Sequence, residues 1–316
     1  MRDFATNVTL SSSLLDEKEF SVDSDALSRR LCELSRQSFA PLPQLAEWPD
    51  TLDGDGWCMP LALSAVAATG RLDDEPIEVR KRVAFFELVN FFSLNVHGER
   101  AMLGGLGESL YSPAADSSWK YLHHFIDEEN KHMEYFAGFC HRYAGKIYPD
   151  RKLVFPREHA PGEASFLFFA KVLIFEEIVD YFNRSMAHDP TLLPIVRDIN
   201  RMHHLDEVRH LAFGRLVTRQ LFEQWSPKWS RETMEGIRLY LAGYIEATFR
   251  EYTNPEVYLD AGLFEGRALA LAGAHALARE AFDAALPLRN RAVRRAAAFF
   301  SKLGLLDVPR SEELTS

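Results

Sequence analysis

Apolar positions recur along most of the chain at the three- and four-residue spacing of helices. The strict alternation of a half-buried strand, bounded by turn dipeptides, is nearly absent. The pattern predicts an all-α protein. Segment 74–111 opens on acids and Pro76 and then runs without an internal proline for more than twenty residues, which reads as a long helix, bent near Gly98. Residues 117–145 begin at serines and stop at Gly145, a helix with a serine cap and a glycine end. Segment 162–189 is apolar around most of its circumference and should be buried. Further helices are expected over 190–225 and 230–254, with two shorter ones in 262–286 and 288–304. The Pro- and Gly-rich stretch 41–61 reads as an extended arm lying on the bundle. No repeat or composition shift divides the chain. The expectation is a single domain over 1–316, with an N-terminal arm and helices in 1–73, a four-helix core in 74–225 and C-terminal helices in 226–316.

Composition narrows the function classes. With 47% hydrophobic residues in 316, the chain can bury a large core. A net charge of −10 and a pI of about 5.6, with Lys and Arg dispersed, argue against a nucleic-acid partner. No segment reaches 18 consecutive apolar residues and the first twenty lack a signal-peptide core, so no membrane association and a cytoplasmic location are expected. Three widely spaced cysteines, Cys32, Cys58 and Cys140, suit neither a disulfide framework nor a thiolate zinc site and read as small buried hydrophobes.

Candidate chemistry concentrates in residues 203–210, HHLDEVRH. Successive helical residues turn by about 100°, so His203, Glu207 and His210 share one face. Glu129 and His132 repeat the Glu-x-x-His spacing on the second long helix. Chance alone supplies roughly one such pair in a chain of this composition. Here both pairs fall mid-helix and each directly follows an acid, Glu128 in one case and Asp206 in the other. The apolar helix between them carries Glu176 and Glu177, and the first long helix offers Glu87 or Glu99. A buried carboxylate needs a counter-charge. One Glu from each of two helices plus Glu-x-x-His from each of two others is the inward-facing ligand set of four-helix di-iron and di-manganese proteins. Carboxylates bridge and neutralise hard divalent ions, while imidazoles hold each ion and leave positions open for dioxygen. Phe85, Phe86, Phe91, Phe92, Phe168, Phe169 and Phe175 are expected to wall the site from water. Asp206 then serves as acceptor for a ligand histidine's free N–H.

The segments RKRVAFF (80–86), HGERAML (97–103), IDEENKHMEYF (126–136), FEEIVDYFNRSMAHDPTLLPIV (175–196) and RMHHLDEVRH (201–210) resemble the AurF-type di-iron N-oxygenases. The resemblance runs from about residue 78 to 215, and more faintly beyond. It implies a ferritin-like four-helix bundle with extra N- and C-terminal helices, and it selects the ligands. Glu99 lies in the family's Gly-Glu-Arg tripeptide. Glu129 and His132 match the second helix; the family has Asp directly before its Glu, and the run Asp127-Glu128-Glu129 here leaves Glu128 as the competitor of Glu129 or as a substitute for that Asp. Glu176 follows from ungapped register, with Glu177 as its competitor. His203, Glu207 and His210 match His-x-x-x-Glu-x-x-His, whose first histidine separates this family from ferritins and desaturases.

The implied function is oxygenation of an amine to a hydroxylamine, or on to nitroso or nitro, in secondary metabolite biosynthesis. It would use two iron ions, dioxygen as co-substrate and an external electron donor such as a reductase. A small-molecule or carrier-bound amine is the expected substrate, a C-terminal arginine (Arg291, or Arg294) its anchor, and a homodimer the expected assembly. A di-iron C-hydroxylase and a ferritin-like ferroxidase are the alternatives the same ligand set allows.

Overall fold

The computed structural model describes residues 24–38, 48–52, 55–111, 119–150, 158–264 and 267–307. The all-α expectation holds. Among the described residues the only β-type pairing is an isolated parallel bridge between Trp57 and Leu192. The α-helices are α1 (Ser24–Ser38), α2 (Ile77–Ser109), α3 (Trp119–Phe139), α4 (Glu163–Ala187), α5 (Pro194–Trp225), α6 (Arg231–Tyr252), α7 (Pro255–Asp260), α8 (Arg267–Ala284) and α9 (Leu286–Lys302).

Helices α2 to α5 form the ferritin-like core. α4 pairs with α5 and α2 with α3 along their lengths, and thinner contacts join the two pairs. α1 lies on α3 and α5, α6 on α2 and α4, and α9 on α4. Buried apolar side chains from all four core helices, among them Leu88, Phe92, Phe136, Ile174, Ile178 and Leu211, close the interior. Removing such area from water stabilises the fold by roughly 25 cal/mol per Å².

Local sequence explains the boundaries. Pro76 stands before the first turn of α2, which carries Glu78 where the helix dipole favours an acid. α3 ends in a π-helical turn, Cys140–Ala144, closed by Gly145 at φ 66°, a left-handed conformation that costs glycine little. Ser230 caps α6, its side chain accepting from the Thr233 N–H at 3.0 Å. α5 starts at Pro194, four residues later than the pattern suggested, because the Trp57 N–H and carbonyl bond Thr191 and Leu193 at 2.9 Å and hold that stretch extended.

Where it is described, the 41–61 stretch lies against the bundle. Trp48 stacks on Tyr143, and Arg142 donates to the Pro49 carbonyl at 3.1 Å; residues 39–47 and 53–54 lie outside the described residues. The serines at 117–118 also lie outside them. The short α7 was not foreseen. Gly98, expected at a bend, serves close packing inside one continuous helix: a Cβ there would lie 2.2 Å from the Phe175 ring of α4. The three cysteines are buried and unpaired.

Candidate metal centre

Each core helix delivers acids or imidazoles to one place. Glu99 comes from α2, Glu129 and His132 from α3, Glu176 from α4, and His203, Glu207 and His210 from α5. Each of the seven is at most 1% exposed. They fall into three overlapping groups with potential ligand atoms within 4.8 Å of one another: Glu129, His132, Glu207 and His210; Glu99, His132 and His203; Glu176, His203 and Glu207. His132, His203 and Glu207 are shared, so the groups form one continuous cluster. The rings of His132 and His203 are 4.3 Å apart.

The competing acids lie elsewhere. Glu177 pairs with Arg215. Glu87 sits a little over three turns before Glu99 on α2 and accepts from the Val66 N–H at 3.5 Å. Asp127 is exposed and Asp180 pairs with His204. Glu128 lies behind His210, whose Nε2 it meets at 2.8 Å.

The histidines divide by which nitrogen faces the cluster. Asp206 accepts from His132 Nε2 at 3.1 Å, and Glu128 takes the matching place behind His210. Both rings therefore turn Nδ1 inward; His210 Nδ1 is 2.7 Å from Glu129 and 3.0 Å from Glu207. His203 is reversed. Its Nε2 lies 3.1 Å from Glu99 and 3.3 Å from Glu207, while Nδ1 abuts the Asn183 side-chain amide. The Asn183 oxygen makes no other hydrogen bond, so with the amide turned it accepts the Nδ1–H and leaves the Nε2 lone pair directed inward.

Electrostatics describe a pocket short of positive charge. Burial, then the charges of Glu129 and Glu207, push Glu99 well above the usual carboxylate range. Burial and the same two neighbours do likewise to Glu176. Burial also opposes ionisation of Glu129, but the imidazoles of His210 and His132 outweigh it and hold that carboxyl low. Burial and the neighbouring His132 hold His203 well below the ordinary imidazole value.

Several inward atoms make no hydrogen bond: both oxygens of Glu129 and Glu176, one each of Glu99 and Glu207, and Nδ1 of His132. Oxygens and a ring nitrogen left this way in a dry site are suited to a cation. Four carboxylates balance two divalent ions, and the mixed oxygen and imidazole donors suit iron or manganese better than a thiolate-seeking metal. The donor set fits a di-metal centre.

The rings touching the histidines are Phe125, stacked on His210 with centroids 3.9 Å apart, and Phe136, edge-on to His203 at 5.0 Å. Neither belongs to the expected aromatic wall, although Phe92 from that set packs on Phe136 at 4.8 Å. Phe125 lies four residues before Glu129 and Phe136 four after His132. That helical spacing was the signal available for finding them.

A small cavity of about 30 Å³ lies between the 59–65 segment, the bundle and the C-terminal helices, lined by Glu87, Phe91, Phe182, Tyr252 and Arg289 among others. Phe182 precedes Asn183 on α4, so cavity wall and cluster edge are consecutive residues. Arg291 and Arg294 are exposed, Arg291 donating to the Tyr181 hydroxyl at 3.3 Å, and neither lines this cavity. Lys131, Arg209, Asn183 and Arg289 were not singled out in the sequence.

Among the described residues no helix is long and apolar enough to cross a membrane. A search of curated proteins finds no match. Residues 22–300 match the family model described as P-aminobenzoate N-oxygenase AurF.

Proposed function

The chain belongs to the p-aminobenzoate N-oxygenase AurF family, and from that membership and the buried cluster we propose that it is a di-iron oxygenase that N-oxygenates an amine. The observation that carries the reading is the convergence of Glu99, Glu129, His132, Glu176, His203, Glu207 and His210, with so many buried acceptor atoms left without hydrogen bonds. In this reading those seven side chains hold two iron ions. When bound, the irons would supply the activation of dioxygen that side chains alone cannot perform.

The protein's own contribution is placement and exclusion. Asp206 and Glu128 fix two imidazoles with Nδ1 inward, and Asn183 fixes the third with Nε2 inward. Phe125 and Phe136 keep water from the histidines. The substrate nitrogen exchanges N–H for N–OH while the second oxygen atom leaves as water. Two electrons and two protons must therefore come from an external donor for each such step.

The amine is proposed to approach through the cavity bounded by Phe91, Phe182 and Tyr252. Its volume accommodates about a water or two, so the C-terminal helices must give way to admit a substrate. The amine, free or carrier-bound, would be a metabolite precursor in the cytoplasm.

Anaerobic loading with Fe(II), removal of excess metal and elemental analysis test the reading. The expected result is about two irons per chain, followed by amine-dependent dioxygen uptake. Less than one metal per chain with both iron and manganese would overturn it.

A further inference from the structure

Behind the cluster is an arrangement in which the two Glu-x-x-His helices brace each other crosswise. The acid before Glu207, Asp206 on α5, holds His132 of α3; the acid before Glu129, Glu128 on α3, holds His210 of α5. One side chain joins these two acids. Arg209 Nη2 lies 2.5 Å from Asp206 Oδ1 and 2.7 Å from Glu128 Oε1. Its remaining donors are also used, Nη1 on the Leu205 carbonyl at 3.1 Å and Nε on the Ser35 hydroxyl of α1 at 3.1 Å. Arg209 is 5% exposed and Ser35 1%.

We infer that Arg209 is a positioning residue for the metal centre, setting the orientation of both Nδ1-inward histidines through Glu128 and Asp206, and that α1 fixes Arg209 through Ser35. The inference rests on the di-metal reading above.

The geometry explains why the residue is an arginine. A planar guanidinium can satisfy two carboxylates, a carbonyl and a hydroxyl at fixed angles, whereas an ammonium is a point charge on a flexible stem. The bracing is also asymmetric. Asp206 has a second cation, Lys131, whose Nζ lies 2.5 Å from Oδ2. Among the described residues Glu128 forms ion pairs only with Arg209 and His210. Loss of Arg209 should therefore free Glu128, and with it His210, more than Asp206 and His132.

The test is metal binding and ligand-field spectroscopy with Co(II) as the probe, on the full chain. Arg209→Met is expected to weaken cobalt binding about 10- to 100-fold, the range for losing a partner of a ligand histidine, and to shift the cobalt d–d bands. Arg209→Lys should recover part of the affinity. Ser35→Ala should move affinity and spectrum the same way by a smaller factor, without touching either acid. If Arg209→Met fails to fold, the Lys and Ala variants carry the test.

Folded variants with wild-type cobalt affinity and an unshifted spectrum would overturn the positioning role while leaving the di-metal reading intact. Wild-type protein that holds no cobalt, iron or manganese would overturn both.

Discussion

Asp206 on α5 and His132 on α3 meet at 3.1 Å, while Glu128 on α3 and His210 on α5 meet at 2.8 Å, so the acid preceding each Glu-x-x-His pair serves the other helix's histidine. The relationship separates adjacent acids that the sequence leaves as rivals. Glu129 is in the cluster, and Glu128 supports a ring from behind.

Replacing the two acids in turn should therefore give unequal losses. Glu129→Ala is expected to abolish at least one metal equivalent. Glu128→Ala should keep the stoichiometry with affinity lowered about 10- to 100-fold. Iron per chain and a chelator competition measure both. Loss of metal from Glu128→Ala alone, with Glu129→Ala unaffected, would reverse the assignment.

His203 has a neutral partner, Asn183, where the other two histidines have carboxylates. His203→Ala leaves Glu129, His132, Glu207 and His210 together, so substantial iron should remain bound. Amine oxidation should fall, by about tenfold or more if the ring holds a reacting ion in place. Unchanged turnover of an identified amine would remove His203 from the reaction.

Arg289 lines the cavity while Arg291 is exposed. For an amine substrate that carries a carboxylate, Arg289→Ala should raise KM about tenfold or more, because hydrogen bonds to charged groups contribute roughly 1.5–3 kcal/mol. Arg291→Ala should leave KM near wild type. The opposite ranking in steady-state kinetics would return the anchoring role to Arg291.

Burial raises Glu87 to about 7. An unfolded chain ionises this group near 4.5, so between those values the unfolded state binds fewer protons than the folded state. Stability attributable to Glu87 is then complete below about pH 4.5 and is lost as pH rises to about 7. The total is on the order of 3 kcal/mol. Glu87→Gln should lack this loss, so denaturant melts at pH 5 and 7.5 should show a smaller decline than wild type. Parallel declines in the two proteins would remove Glu87 as the source.

Much of this molecule was legible before folding. Helical periodicity marked α2 to α6, because an amphipathic or wholly apolar helix leaves its period in the sequence. Spacing within one helix put His203, Glu207 and His210 on a common face, since 3.6 residues per turn is a property of the backbone. The brief α7 left no such trace. The Trp57 bridge that delays α5 could not be seen, because its partner is more than a hundred residues away.

The sequence by itself determined the fold class, the helix faces and the residue types gathered for a metal. Tertiary structure decided the choices between neighbours: Glu129 rather than Glu128, and Glu176 rather than Glu177, in the cluster. Adjacent helical residues differ by about 100° of rotation, and composition is blind to where that rotation points until another helix packs alongside. The same holds for Arg209, whose meaning lies in joining two acids 78 positions apart in sequence, Glu128 and Asp206, with a serine of α1. Only the packing of α1, α3 and α5 brings those three together.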